Sequence, residues 1–169
     1  MDLIVVTHYH SPCGTLVLGD CNGRLCMCDW LHGRLHDRTL RRILRHTHAR
    51  AFAEGDSVIL DMARRQLDEY FAGKRRDFDI PLMYASTEFQ AHVWDALRQV
   101  PYGSDKSYSG LAADIGLLSG VRAVANAIGA NAMSVIIPCH RVIGRDGSLT
   151  GYAGGLEAKR YLLELESRQ

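Results

Sequence analysis

The dipeptide Asn22-Gly23 constrains the fold of this chain more than any other short feature. It separates two β-prone runs, Thr15–Leu18 and Arg24–Trp30, and an Asn-Gly pair there closes a two-residue hairpin. A β-branched run, Leu3–Thr7, precedes them, and Ser11-Pro12-Cys13-Gly14 reads as the turn between it and the second strand. Three strands are therefore expected within the first 30 residues. After Trp30 the period changes. A basic, His-rich stretch, His36–His48, reads as helix. Asp56-Ser57 caps a helix whose Val58, Ile59, Met62, Leu67, Tyr70 and Phe71 fit a 3.6-residue repeat, with Gly73 as the stop. Phe78–Pro81 reads as extended.

The second half predicts helices. Ser86-Thr87-Glu88-Phe89 opens one with an apolar face of Phe89, Val93, Trp94 and Leu97, ending before Pro101 and Gly103. Helices over Ser107–Ile115 and Ser119–Gly129, joined through Gly116 and Gly120, predict a helix-turn-helix, and Leu156–Glu166 closes the chain. At 169 residues the chain fits one domain or two small ones. The expected class is α+β: an N-terminal α+β scaffold over 1–82, then a mostly helical domain over 86–169.

Charge and cysteine usage bound the function. The 20 Lys+Arg against 19 Asp+Glu leave a net charge of +1, which argues against binding nucleic acid or a membrane through bulk positive charge. The charge is unevenly spread, however. Ile115–Arg145 contains no acid but carries Arg122, His140, Arg141 and Arg145, so a locally positive surface is expected there. Cys13, Cys21, Cys26, Cys28 and Cys139 are an odd number of thiols. With no leader-like opening and no membrane-length apolar run, they point to free cysteines in the reducing cytoplasm. Cys26-x-Cys28 on one strand should aim both thiols at one face, with no loop to wrap a metal. No metal and no cofactor are expected. His32, His36, His46 and His48 read as a solvated helix face, Tyr70 and Phe71 as core, and Lys74-Arg75-Arg76 as a solvated turn.

Ile136-Ile137-Pro138-Cys139-His140-Arg141-Val142 carries the chemistry. An apolar run delivers a lone Cys beside a His and an Arg, groups that favour the reactive thiolate. On residue types alone, a nucleophile and a buried structural thiol remain equal readings.

The wider pattern separates them. Pro138-Cys139-His140-Arg141-Val142, followed by Gly151-Tyr152-Ala153-Gly154-Gly155-Leu156, resembles the O6-alkylguanine-DNA alkyltransferase family. The resemblance continues through Pro101-Tyr102-Gly103, Ser107-Tyr108, Leu111-Ala112, Val121-Arg122-Ala123-Val124, Asn131, Lys159, Leu162-Leu163 and Glu166, with spacing kept over roughly 86–166. It implies a ribonuclease-H-like N-terminal domain before the helix-turn-helix domain. It also implies direct repair of O6-alkylguanine, and of O4-alkylthymine, in double-stranded DNA by irreversible, single-turnover transfer of the alkyl group to Cys139.

The same resemblance assigns roles. Cys139 is the alkyl acceptor, His140 the base acting through a water, and Glu166 the carboxylate that orients it. Asn131 ties the recognition helix to the active-site turn. Tyr108 donates a proton toward the leaving guanine, and Arg122 fills the gap left by the flipped nucleotide. Ala123, Asn126 and Ala127 fall on the DNA-facing helix, where small residues suit a minor-groove approach. Pro138, Val142, Tyr152, Ala153 and Gly154 fall on the base pocket. A monomer is implied, with cooperative binding along DNA left open.

Three positions depart from the family pattern. Ala132 stands where Pro is usual, which predicts a looser hinge; Asn126 replaces a small residue; Ala153 stands where some relatives carry Ser. Competing readings are weaker. A lesion-binding relative that repairs nothing would lack the cysteine. A helix-turn-helix regulator would need base-reading side chains and a dimerisation element. A cysteine hydrolase would need an oxyanion hole. The expected DNA affinity is modest and largely sequence-independent, with few phosphate contacts and a shallow salt slope.

Overall fold

The computed structural model describes residues 2–168. Strands β1 (Leu3–Ser11), β2 (Gly14–Cys21) and β3 (Arg24–Trp30) form an antiparallel meander. Asn22 and Gly23 take φ of 53° and 80°, the two positive values a tight hairpin of matching twist requires. Helix α1 (His36–Thr47) leads into β4 (Ala51–Glu54), which adds parallel to β1, so the sheet order is β3-β2-β1-β4. Ala51-Phe52-Ala53-Glu54 carries no β-branched residue, and this fourth strand has no signal in the sequence; pairing with β1 makes it.

Both faces of the sheet are covered. Leu16 and Leu18 point toward Leu60, Ala63 and Leu67 of α2 (Val58–Phe71), while Val17, Met27 and Ile4 meet Ile43 of α1. Ser57 caps α2 as expected, accepting from the Leu60 amide.

A β-bulge corrects the expectation for the paired thiols. The register shifts at Gly19/Asp20, and Cys26 is the extra residue opposite β2. Cys28 therefore packs with Leu16, Leu18 and α2, whereas Cys26 packs with Val17 and Met27 on the opposite face. Both are fully buried.

The rest of the chain is helical: α3 (Glu88–Arg98), α4 (Tyr108–Asp114), α5 (Val121–Gly129) and α6 (Leu156–Ser167). Thr87 and Gln90 form a reciprocal capping box on α3, and Ser107 caps α4. Two-residue strands β5 (Lys106–Ser107) and β6 (Val142–Ile143) pair in parallel. The α4–α5 pair is the expected helix-turn-helix, joined through a 3-10 turn at Leu118–Gly120.

The helical half docks on the outer edge of β3. Leu25 and Cys28 donate backbone hydrogen bonds to Pro81 and Ala132, and Met83 and Ser134 donate back to Leu25 and Cys28. An edge that would otherwise expose unpaired amides is used to hold the chain just before Cys139. One apolar cluster then runs from Tyr9 and Leu16 through Trp94 and Ile137 to Leu165.

Candidate active site and nucleic-acid interface

Cys139 lies on the floor of a cleft of about 1860 Å³, far larger than the ~300–1,000 Å³ of a small-molecule pocket. The chain reaches it through two tight turns. Val135 has φ of 72°, and Ile136 N–H donates to Ser134 C=O at 2.9 Å, the strained form of the three-residue turn. Pro138, at φ −80° and ψ 62°, makes the relaxed form, with Cys139 N–H donating to Ile137 C=O at 2.8 Å. A β-branched residue at positive φ costs about 1–3 kcal/mol and persists only where its surroundings over-determine it. Asn131 supplies much of that constraint. Its Nδ2 donates to Ile137 C=O at 2.9 Å, and its Oδ1 accepts from Met133 N–H at 3.0 Å. The Asn131 side chain thus splints the end of α5 to the turn that carries Cys139. Ala132, which stands at this hinge, is flanked by hydrogen bonds to Cys28 of β3: Cys28 N–H donates to Ala132 C=O at 2.9 Å and Ser134 N–H donates to Cys28 C=O at 2.8 Å.

Cys139 is 7% exposed, and burial pushes its thiol up. Asn131, the charge of Lys159 and the Ser134 hydroxyl act in the opposite sense. Next in the chain, His140 is fully buried, and burial lowers its pKa despite Glu166, favouring the neutral ring. Its Nε2 lies 2.8 Å from Glu166 Oε1. A carboxylate only accepts, which assigns the proton to Nε2 and leaves Nδ1 as a lone pair. Nδ1 is buried and has no hydrogen-bond partner among the described residues.

Glu166 holds more than the His140 ring. Arg141 grips it with Nε on Oε2 and a terminal nitrogen on Oε1, both at 2.9 Å, and Tyr70 Oη donates to Oε1 at 2.7 Å. Burial alone would raise this carboxyl, but the hydrogen bonds from His140 and Arg141 outweigh it and hold it at about 2. Residue-type reasoning placed Arg141 beside the thiol and Tyr70 in the core, and missed that both hold Glu166. An arginine placed directly after His140 in an apolar run was the available signal.

Lys159, matched in the sequence but given no role there, is a further residue of the site. Its side chain is fully buried and has no carboxylate partner among the described residues; Nζ donates to Val142 C=O at 2.6 Å and Thr150 C=O at 2.9 Å. It tethers the 150–155 loop to β6. On α6, Lys159 and Glu166 are two turns apart on one inward face.

That loop forms one side of the cleft mouth. Tyr152, Ala153 and Gly154 line it, and so does Tyr108, whose Oη accepts from Thr150 Oγ1 at 3.0 Å. The N-terminal domain backs the loop. Trp30 meets Tyr152 edge-on at 6.0 Å, and a Cβ on Gly154 would lie 2.6–2.7 Å from the Trp30 indole. Pro138 and Val142 are not among the cleft-lining residues: Pro138 serves the turn and Val142 is core, lending only its carbonyl.

On α5, Arg122, Ala125, Asn126 and Gly129 share one face and line the cleft. Ala123 is exposed. Ala127 is a correction to the expected DNA-facing set: it is 3% exposed, packs in the core, and its carbonyl accepts from Trp94 Nε1 at 2.8 Å.

The source of positive charge is also corrected. Within Ile115–Arg145, Arg141 is neutralised by buried Glu166 and His140 favours the neutral form, which leaves Arg122 and Arg145. Arg34, Arg38, Arg41, Arg42 and Arg45, in and just before α1, line the same cleft as Arg122. His36 departs from the expected solvated face, pairing with buried Asp29 at 2.7 Å. Among the described residues no group of three or more His, Cys, Asp or Glu could hold a metal ion. No helix there is long and apolar enough to cross a membrane.

The α+β fold thus brings a helix-turn-helix to the same cleft as Cys139, with the His140–Glu166 pair directly behind it. The family follows from comparison with known proteins. Residues 4–84 match the ribonuclease-like domain of 6-O-methylguanine DNA methyltransferase, and residues 88–168 match its DNA binding domain. The inducible methylated-DNA–protein-cysteine methyltransferase of Bacillus subtilis is 54% identical over 103 residues, 61% of this chain and 58% of that protein. The aligned stretch thus spans less than two thirds of the Bacillus relative. That of Methanosarcina acetivorans is 50% identical over 62% of this chain and 67% of its own length. The crystal structure of Mycobacterium tuberculosis OGT in complex with DNA superposes with a TM-score of 0.83 at 38% identity, over 97% of this chain and 93% of that one. The chain belongs to the 6-O-methylguanine DNA methyltransferase family.

Proposed function

We propose that this protein repairs double-stranded DNA by moving the alkyl group of O6-alkylguanine, and of O4-alkylthymine, onto its own Cys139, once per molecule, as a monomer without a cofactor. The observation that carries this reading is the arrangement of Cys139 at the cleft floor beside neutral His140, whose Nδ1 lone pair is free and whose Nε2 is held by Glu166.

The mechanism follows from those groups. The alkylated base is buried in the stack, so its nucleotide must swing out at a cost of a few kcal/mol. Arg122, exposed at the start of α5, fills the gap. In the cleft, His140 Nδ1 takes the thiol proton through a water, and Glu166 stabilises the resulting imidazolium. The sulfur attacks the alkyl carbon in line; the S–C bond forms as the C–O6 bond breaks, and its electron pair stays on the base. Tyr108 returns a proton to that base. The Thr150 hydroxyl, 3.0 Å from Tyr108 Oη, is able to donate to it and so leave the Tyr108 hydrogen for the base. Solvent then restores Tyr108 and His140. A thioether is a poor leaving group and none of the described site residues activates it for cleavage, so each molecule turns over once.

Incubation with a duplex carrying one O6-methylguanine tests this. The Cys139 peptide should gain one methyl group, in a one-to-one ratio and without repetition. Removal of the methyl by a Cys139→Ser variant would refute the assignment.

A further inference from the structure

One wall of the cleft has no part in the chemistry above. It is the face of α1 formed by Arg38, Arg41, Arg42 and Arg45, with Arg34 just ahead of the helix. Steps of three and four residues place these side chains in one stripe. Arg34, Arg38, Arg41 and Arg45 are exposed, and none is in an ion pair among the described residues. Asp37, the one acidic residue of α1, does not line the cleft.

Arg42 has a different job. It is half-buried over the Trp94 ring at 5.8 Å; its Nε donates to Ala85 C=O at 3.1 Å, and its terminal nitrogen donates to Ala130 C=O. Ala130 caps the C-terminal end of α5. Arg42 therefore locks α1 to the helix that carries Arg122, and the stripe continues the α5 surface across the same cleft. Like charges held on one rigid face repel, and an oligoanion relieves that repulsion. From Arg38 to Arg45 the helix rises about 10 Å, which matches about three phosphate-to-phosphate steps of one DNA strand along the duplex axis. Arginine forks suit phosphate oxygens.

We propose that α1 is a second DNA-contacting element, whose exposed arginines bind the phosphate backbone flanking the site where α5 docks. This rests on the DNA-repair reading above, and it predicts a steeper salt dependence than the recognition helix alone would give.

The test uses the full chain and two duplexes, each carrying one O6-methylguanine, one long enough for one molecule only and one for two, with affinity measured against salt. A variant combining Arg38→Gln, Arg41→Gln and Arg45→Gln should bind about tenfold or more weakly at low salt. Its log–log salt slope should be shallower by about 2–3, near 0.9 per lost phosphate contact. Transfer from free O6-benzylguanine should be unchanged, which shows that the variant is folded. The corresponding triple Lys variant should keep most of the slope. Unchanged affinity and slope in the Gln variant would overturn the proposal. So would a defect confined to duplexes that hold two molecules, since the stripe would then contact a neighbouring copy. Failure of the unmodified protein to bind any duplex would instead sink the repair reading, and this proposal with it.

Discussion

Replacing Glu166 with Gln tests the relay and the scaffold together. Glu166 is 1% exposed and accepts from His140, from Arg141 twice and from Tyr70. A Gln keeps the shape but loses the charge and turns one acceptor into a donor. That donor must face Arg141, which is itself 6% exposed, or displace His140. Leaving one partner of a buried ion pair uncompensated costs about 3–5 kcal/mol. The carboxyl itself supports this magnitude. It is held at about 2 against an ordinary 4.5, and at about 1.4 kcal/mol per pKa unit the gap is worth about 3 kcal/mol. Urea unfolding followed through the buried Trp30 and Trp94 should show a midpoint lower by about 2 M for a slope of about 2 kcal/mol/M. A depressed carboxyl stabilises above its unfolded pKa, and that contribution is lost as pH falls toward the folded value. The wild-type advantage should therefore hold above pH 4.5 and shrink between about pH 4.5 and 2. Alkyl transfer at neutral pH should also slow, with its pH profile moved to higher pH, because the uncharged Gln stabilises imidazolium less. A stability loss under about 1 kcal/mol, the worth of an exposed pair, would refute the account. So would an identical acid limb in both proteins.

Three further outcomes follow from the cleft. Gly154→Ala forces a methyl into the Trp30 indole; transfer from a free alkylated base should fall at least tenfold, and a smaller residue at Trp30 in the same variant should restore part of it. Lys159→Met removes the tether on Val142 and Thr150 and a cation near the thiol; the inactivation pH profile should move to higher pH, and an unmoved profile would deny Lys159 its charge effect. Arg122→Ala should slow repair in duplex DNA far more than transfer from a free base, and equal losses on both substrates would contradict a role in flipping.

Much of the site was legible in the residues because the cysteine chemistry is compact in sequence. Cys139 and His140 are adjacent, whereas Tyr108, Arg122, Asn131 and Glu166 entered only through the family resemblance, since nothing local in the chain marks them as partners of a distant cysteine. Other parts were hidden for physical reasons. Cys26 and Cys28 diverge because a bulge, decided by pairing with β2, inserts a half-step. Val135 carries a positive φ that no β-branched residue advertises, since Asn131 and the edge of β3 impose it from outside.

The linear chain determines the α+β order of elements, the Asn22-Gly23 hairpin, the helix-turn-helix and the Cys-His pair, because these rest on local backbone preference and neighbouring side chains. Tertiary structure alone decides which charges meet. Arg141 is sequestered on Glu166, and His140 is pushed toward neutrality by burial. The arginines of α1, remote in sequence from Cys139, line its cleft. Burial and charge pairing depend on long-range packing, so a count of acids and bases along a segment cannot reveal the field that a ligand in the cleft would feel.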